Sequence, residues 1–418
     1  MSRVLIWKNT SPNSEYDIFR QNDANEQLRA AFNAPGRNFG NRLWFQGLMS
    51  EIDTGENEYI FLNDSQTVDE INNSFDFIIC PMANIFNPQY LQAIEDFAKI
   101  VSQLKIPFYI IACGIQAKNY DELDSLITNI GDASKRFMSA VYNCGGQFAL
   151  RGNFTKEFFD RLGFPQAVVT GCPSLYQNGR NFKIERNADK SLKPAFNGNL
   201  RLLSKLQKAY PNSLYFDQDN FVRLIYDVNV ATNIDLRFLY EFYRIYGTDA
   251  AQLLSEDRIK LIPDMKDWQS FLIEGEFDYS FGSRIHGNIM SILSGVPATV
   301  VAMDSRTREM AEFFGIPCLV KNDNKPITNN EFEEAYFTAD YRVFNDKYTK
   351  NYDLFENFLK SNKIVSRINE KNIFFNNEST NTEYIGVNIE KFKKIYKKMK
   401  HRKPLLKMLQ VASDIKNK

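Results

Sequence analysis

Residues 276–317 read EFDYSFGSRIHGNIMSILSGVPATVVAMDSRTREMAEFFGIP, and this stretch decides the fold. Residues 277–281 form a short aromatic run that suits a buried strand, and Gly282 and Ser283 make the turn that follows. Residues 287–293 have the spacing of a helix, ended by Ser294 and Gly295. Residues 296–303 are a second apolar strand, and Asp304 stands where it can cap a helix beginning near Arg306. Strand, turn and helix, twice over, is the repeating unit of an open parallel sheet.

Arg284 and His286 fall where the first strand hands over to its helix. Unpaired backbone N–H groups and the positive end of the helix dipole converge at such a junction, which suits it to an anion. A guanidinium there adds a planar, two-pronged donor for phosphate or carboxylate. His286 is one of two histidines in the chain, and an imidazole can exchange a proton near neutral pH. A purely structural assignment stays open at this level, with Arg284 in a surface ion pair and His286 capping the helix.

These features resemble the polysaccharide pyruvyl transferase family. The matched order is a strand, Gly282-Ser283-Arg284-Ile285-His286-Gly287, a short helix, Gly295-Val296-Pro297, an apolar strand, Asp304-Ser305-Arg306, and a helix closing on Gly315-Ile316-Pro317. The resemblance implies an α/β fold of two Rossmann-like domains whose open parallel sheets face a cleft, as in the B-type glycosyltransferase architecture. It implies transfer of the enolpyruvyl group of phosphoenolpyruvate onto two hydroxyls of a sugar, in a cell-surface polysaccharide or its precursor, to form a pyruvate ketal. Phosphoenolpyruvate is then the donor substrate, and no cofactor is expected.

Further matches lie upstream. Asn38 and Gly40 are similar to the family's Asn-x-Gly turn, but Asn41 stands where an aspartate is usual. Arg151 ends a short strand, as in the family, but Gly152 follows it instead of an acid. Residues 81–84, Pro-Met-Ala-Asn, replace a glycine-rich turn. Gly114 and Gln116 follow an apolar strand ending at Cys113 and face the same cleft if the sheet is parallel. The resemblance therefore implies catalytic roles for His286, Arg284 and Arg151. The arginines would clamp the anion, and His286 would transfer a proton or stabilise the departing phosphate. Gly282, Ser283, Gly287, Asn288, Asn38, Gly40, Asn41, Gly114, Gln116, Asp304 and Arg306 are the expected substrate-binding residues. Two rival readings remain. A glycosyltransferase could place a nucleotide-sugar diphosphate at the same helix end, and a non-catalytic carbohydrate-binding relative is suggested by the changes at 41, 81–84 and 152.

The whole chain fits this outline. A length of 418 residues suits two or three domains. Hydrophobic content of 44% and charged content of 24% are those of a globular protein. The formal net charge of zero gives no case for nucleic acid. The first residues carry too short an apolar run for a signal peptide, and no stretch has the apolar length of a membrane span. The five cysteines form no Cys-x-x-Cys pair, so free thiols in a reducing cytoplasm are expected, and no His/Cys metal cluster is visible.

Residues 1–190 read as an N-terminal domain on the acceptor side, with a polar loop or insertion over 9–25 and strands at 4–7, 75–80, 107–113, 148–151 and 168–169. Residues 178–199 read as a linker, and 200–375 as the donor-side domain, with a Tyr/Phe-rich helix over 235–246. The tail, 385–418, interleaves lysines and apolar residues from Lys391 onward, with Pro404 expected to break its helix in two. A basic amphipathic tail can lie on an anionic membrane or bind a phosphorylated, lipid-linked sugar acceptor, and it can equally be a solvated terminal helix whose apolar edge packs on the body. A cytoplasmic protein is expected, with peripheral contact at the inner face of the membrane if the first of these holds.

Overall fold

The computed structural model describes residues 1–8, 38, 40–63, 65–185, 192–218, 235–262, 265–367 and 389–416. The polar stretch 9–25 lies outside them. The first half alternates β1 (Arg3–Ile6), α1 (Gly40–Ile52), β2 (Glu58–Phe61), α2 (Val68–Ser74), β3 (Phe77–Pro81), α3 (Leu91–Val101), β4 (Phe108–Cys113), α4 (Leu123–Asn143), β5 (Gln147–Leu150), α5 (Asn153–Arg161) and β6 (Val168–Val169). The second half runs β7 (Pro194–Asn197), α6 (Leu200–Ala209), β8 (Leu214–Asp217), α7 (Leu236–Ser255), β9 (Ile259–Leu261), α8 (Met265–Glu274), β10 (Tyr279–Gly282), α9 (Ile285–Leu293), β11 (Ala298–Ala302), α10 (Ser305–Phe314) and β12 (Cys318–Val320). Three helices follow: α11 (Asn329–Thr338), α12 (Arg342–Ser361) and α13 (Ile389–Lys416).

Each half holds one six-stranded sheet, ordered β2-β1-β3-β4-β5-β6 and β12-β11-β10-β7-β8-β9. All the pairings are parallel. Strands such as β4 are buried along their whole length, which explains their unbroken apolar runs. Numbered within its own half, the second sheet has the Rossmann order 3-2-1-4-5-6. Its order reverses between β7 and β10, and the first sheet's reverses between β1 and β3. Ligands of open parallel sheets bind at the strand C-termini beside such reversals. The residues after Asn197, after Gly282 and at the start of α1 therefore occupy the favoured positions.

The two halves share a core. One apolar cluster runs from Ile6 and Leu48 of the first half to Phe281 and Val300 of the second. Helix α12 returns to the first half, where Phe355 stacks on Tyr176 at 5.3 Å and Arg180 forms a two-pronged ion pair with Asp353 at 2.7 Å.

Several expectations are corrected. Residues 194–197 are not linker: they form β7, a central strand paired to both β8 and β10. Pro-Ala-Phe-Asn is short and sits among polar residues, so only its tertiary pairing marks it as a strand. The helix around 235–246 extends to Ser255. Pro404 does not split the tail, because α13 is continuous from Ile389 to Lys416. Phe392, Ile395 and Met399 before the proline, and Leu406 after it, are all buried, and α13 packs along α7. Burial of about 1.5–3 kcal/mol per such side chain offsets the ~3 kcal/mol cost of an internal proline. Among the described residues, no helix is long and apolar enough to cross a membrane. All five cysteines are free.

Candidate active site

The start of α9 faces the start of α1. A Cβ built on Gly40 would stand 2.9 Å from the His286 Cβ and 2.4 Å from Gln218 Oε1. A Cβ on Gly287 would stand 2.2 Å from Gln218 Nε2. Glycine at 40 and 287 thus lets two helix N-termini close on one point, with the Gln218 amide between them. Asn38 prepares this approach by accepting from Gly40 N at 2.8 Å. Asn41 follows in the first turn of α1, its backbone N–H donating to Asn38 O at 3.0 Å. Gln218 is 2% exposed, and neither side-chain amide atom has a hydrogen-bond partner among the described residues. A buried amide left unsatisfied costs about 1–3 kcal/mol, so Gln218 calls for a partner from outside the described residues.

His286 is 5% exposed. Burial, then the charges of Arg151 and Arg306, hold its pKa well below the ordinary imidazole value, so the ring is neutral. Its Nε2 lies 3.8 Å from Cys172 Sγ, whose thiol is held up by burial. Arg151 is 2% exposed. Burial lowers its pKa, yet a guanidinium stays charged. It is held loosely: Nη1 donates to Asn84 Oδ1 at 3.3 Å, its carbon lies 5.8 Å from the Trp44 ring centre, and Nε has no partner among the described residues. Arg306 donates from Nη2 to Asp304 Oδ2 at 3.1 Å, while its Nε likewise has no partner among them.

Other expected residues serve the frame. Asn288 is fully buried and spends its amide internally, accepting from Asn197 Nδ2 and Ser280 Oγ at 3.1 Å and donating to Gly282 O and Arg284 O. Ser283 Oγ accepts from Asn199 N at 2.9 Å. A Cβ on Gly282 would stand 2.0 Å from Asn197 O. These contacts lock β10 to β7 and set the angle at which α9 leaves the sheet. Arg284 caps α9 through its backbone, with N–H donating to Asn197 Oδ1 at 3.0 Å. The cations that weigh on His286 are Arg151 and Arg306. Asp304 caps α10 by accepting from Thr307 N at 2.9 Å. Asp304 and Gln116 line a cavity of about 370 Å³ together with Lys118, Glu122 and Asn129. Gly114 packs beside Arg151, where a Cβ would stand 3.3 Å from Arg151 Cδ and 3.3 Å from Glu309 Oε1.

Sequence reasoning missed Glu309, Gln218, Asn197 and Cys172. Glu309 sits on an exposed-looking run, Arg306-Thr307-Arg308-Glu309, yet it is 1% exposed. Its Oε2 accepts from Thr155 N at 2.9 Å and its Oε1 from Thr155 Oγ1 at 2.8 Å, across the two halves. Burial pushes its pKa up to about 7, against the lowering by the Thr155 hydrogen bonds and by Arg151. Only the 3.6-residue spacing of Met310, Ala311 and Phe314 could have hinted which face of α10 turns inward.

The sequence model of the family described as polysaccharide pyruvyl transferase matches residues 8–305. No curated protein matches the chain in sequence. Among solved structures, the chain is similar to a Listeria monocytogenes protein assigned as a UDP-N-acetylglucosamine 2-epimerase, at 12% identity and TM-score 0.41, covering 88% of this chain and 98% of that one. The S. aureus MnaA–UDP complex matches at 11% identity and TM-score 0.41, over 87% and 98%. The glycosyltransferase SnogD from Streptomyces nogalater matches at 9% and 0.30, over 85% and 95%. The family match spans well over half of the sequence, and the chain belongs to the polysaccharide pyruvyl transferase family.

Proposed function

We propose that this member of the polysaccharide pyruvyl transferase family uses phosphoenolpyruvate as donor and forms a pyruvate ketal on a sugar of a cell-surface polysaccharide or its precursor. The observation that carries the reading is the convergence of two helix N-termini, the unsatisfied Gln218 amide and two guanidinium groups, Arg151 and Arg306, around a neutral His286. Each helix end adds roughly half a positive charge. A small ligand with a dianionic phosphate and a carboxylate matches that concentration of donors.

The same electrostatics suit the proton transfer. In the empty site burial, and then the two cations, keep the proton off His286. A bound dianion offsets them and raises the proton affinity of the ring. His286 can then protonate the methylene carbon of the donor, leaving an oxocarbenium-like centre at the adjacent carbon. One sugar hydroxyl adds there and gives up its proton. The first hydroxyl's proton restores the one His286 gave to carbon, and a second hydroxyl replaces phosphate and loses its proton to it, so two C–O bonds form, one breaks, and inorganic phosphate leaves. Preorganised donors at the developing charge contribute roughly 3–4 kcal/mol each in other enzymes. The polar cavity beside Gln116 and Asp304 suits the acceptor sugar, since amide and carboxylate side chains match hydroxyl groups.

Helix α13 supports a membrane-proximal or lipid-linked acceptor. Its buried stripe faces α7, while Lys394, Lys397 and Lys398 are exposed, followed by exposed Leu405, Met408 and Leu409. Lysines toward headgroups and apolar side chains toward the acyl boundary are how interfacial helices bind.

The test is a thermal-shift titration with phosphoenolpyruvate, inorganic phosphate and nucleotide sugars on wild type, Arg151→Ala and Arg306→Ala. Donor at 100 times its Kd stabilises the fold by about 2.7 kcal/mol. A shift with phosphoenolpyruvate that both variants lose is the expected result. A shift with nucleotide sugars alone moves the assignment to a glycosyltransferase, and binding without product moves it to a non-catalytic relative.

A further inference from the structure

We propose that Glu309 is a positioning residue that latches the two halves together at the anion site and so fixes Arg151. Three observations lead there. Glu309 belongs to α10 of the second half, but both carboxylate oxygens are spent on Thr155, in the first turn of α5 in the first half. Gly152, the cap residue of α5, is extended at φ −170°, a conformation open to any residue. A Cβ there would nevertheless stand 2.8 Å from the Glu309 Cβ, so it is the latch that requires glycine. Arg151 is the residue between β5 and that cap. Its backbone is tied to β4, with Arg151 N donating to Cys113 O at 2.8 Å, but its side-chain hold is slight, so the placing of the guanidinium follows the loop that Glu309 pins.

The latch also reaches the next strand exit. Thr155 Oγ1 accepts from Ile115 N at 3.0 Å, and Ala117 exchanges two hydrogen bonds with Ser305, the first residue of α10. One turn of α10 therefore holds two first-half loops that face the cleft, the one carrying Arg151 and the one carrying Gly114 and Gln116. Opening the halves would release both loops together and scatter the cationic cluster.

This inference rests on the donor reading only for the identity of the ligand, and its test does not need turnover. Amide hydrogen exchange is measured on the full chain over 113–117 and 151–158, with 3–6 as an internal reference, and inorganic phosphate is the anion probe. Glu309→Ala is expected to speed exchange over both segments at least tenfold, leave 3–6 unchanged and weaken phosphate binding at least tenfold. Glu309→Gln, which keeps an acceptor for Thr155 N, should exchange no faster than wild type over both segments and bind phosphate about as well. If Glu309→Ala does not fold, Thr155→Val tests the same contact from the other side and should show the same paired loss. Unchanged exchange overturns the latch, and faster exchange with unchanged phosphate affinity overturns its positioning role. If wild type binds no phosphate, the donor reading fails while the latch is still decided by exchange.

Discussion

Glu309→Gln should make the empty protein more stable at alkaline pH, by an amount set by the position of the carboxyl group. Burial lifts its pKa from 4.5 to about 7, and at 1.36 kcal/mol per pKa unit that is roughly 3 kcal/mol. The folded state holds the proton more tightly than the unfolded chain. Below pH 4.5 the group is protonated in both states and contributes no pH dependence. Between 4.5 and about 7 the folded state keeps a proton that the unfolded state has lost, so stability falls as pH rises, and above 7 the full cost is present. Glutamine mimics the protonated form and carries no such cost. The stability difference, variant minus wild type, should therefore rise by roughly 3 kcal/mol between pH 4.5 and pH 8. For a cooperative unit of 150–250 residues this is about 6–12 °C in Tm. Arg151, Asp304, Cys113 and Tyr120 are the other titratable or charged groups coupled to this carboxylate, and the substitution leaves all four in place. The assay is a set of thermal melts in phosphate-free buffers at pH 4.5, 5.5, 6.5 and 8. A difference that stays flat across the series would show that Glu309 folds at its ordinary proton affinity, and the electrostatic account of the site would fail.

Two further outcomes are expected. The chain has only His286 and His401, so nitrogen NMR of labelled histidine, assigned with His401→Gln, resolves the active-site ring. His286 should read neutral at pH 6 in the empty protein and become protonated when phosphoenolpyruvate is added, while a ring charged before ligand is added contradicts its burial beside Arg151 and Arg306. For α13, Lys394→Glu, Lys397→Glu and Lys398→Glu together should weaken binding to vesicles containing anionic lipid by at least a hundredfold, at about 1 kcal/mol per lysine. Leu405→Ser with Met408→Ser should weaken it without altering its salt dependence, and vesicle binding unchanged in both sets removes the membrane surface.

The second half was legible in 276–317 because its elements are short, regular and closed by strong punctuation: Gly282, Asp304 and Gly315 each end or cap an element where expected. Site positions at strand ends followed from the same pattern, since parallel order alone puts Gly114, Arg151 and Arg284 near one edge. The rest was hidden for specific reasons. Strand β7 lacks an apolar run and is made a strand by its two neighbours. Helix α4 has its apolar residues at helical spacing, from Leu123 and Leu126 to Ile130, Phe137 and Val141, but the polar residues interspersed among them and Gly131 dilute the pattern. Gln218 follows a strand that reads as Leu-Tyr-Phe-Asp, and nothing local says that its amide is enclosed by Gly40 and Gly287. Asn288 shows the converse. Its position in the motif invites a ligand role, whereas its geometry spends every hydrogen bond on the β7–β10 junction.

The departures from the family pattern also look different once both halves are in view. Read along the chain, Gly152 is a lost acid beside Arg151, and such losses were the reason to consider a protein without catalysis. In the fold, a carboxylate does stand beside that cap, but it arrives from the other half. Glu309 occupies the space that a side chain at 152 would need, so the two positions exclude one another. A carboxylate at 152 would answer Arg151 within a single half, whatever the second half was doing. A carboxylate at 309 answers it only when the halves are docked. Burial raises its proton affinity, and Thr155 and Gly152 of the first half are among the residues packed against it. A carboxylate supplied from 309 thus ties the surroundings of Arg151 to the contact between the halves, alongside Gly40 against His286 and Ala117 against Ser305.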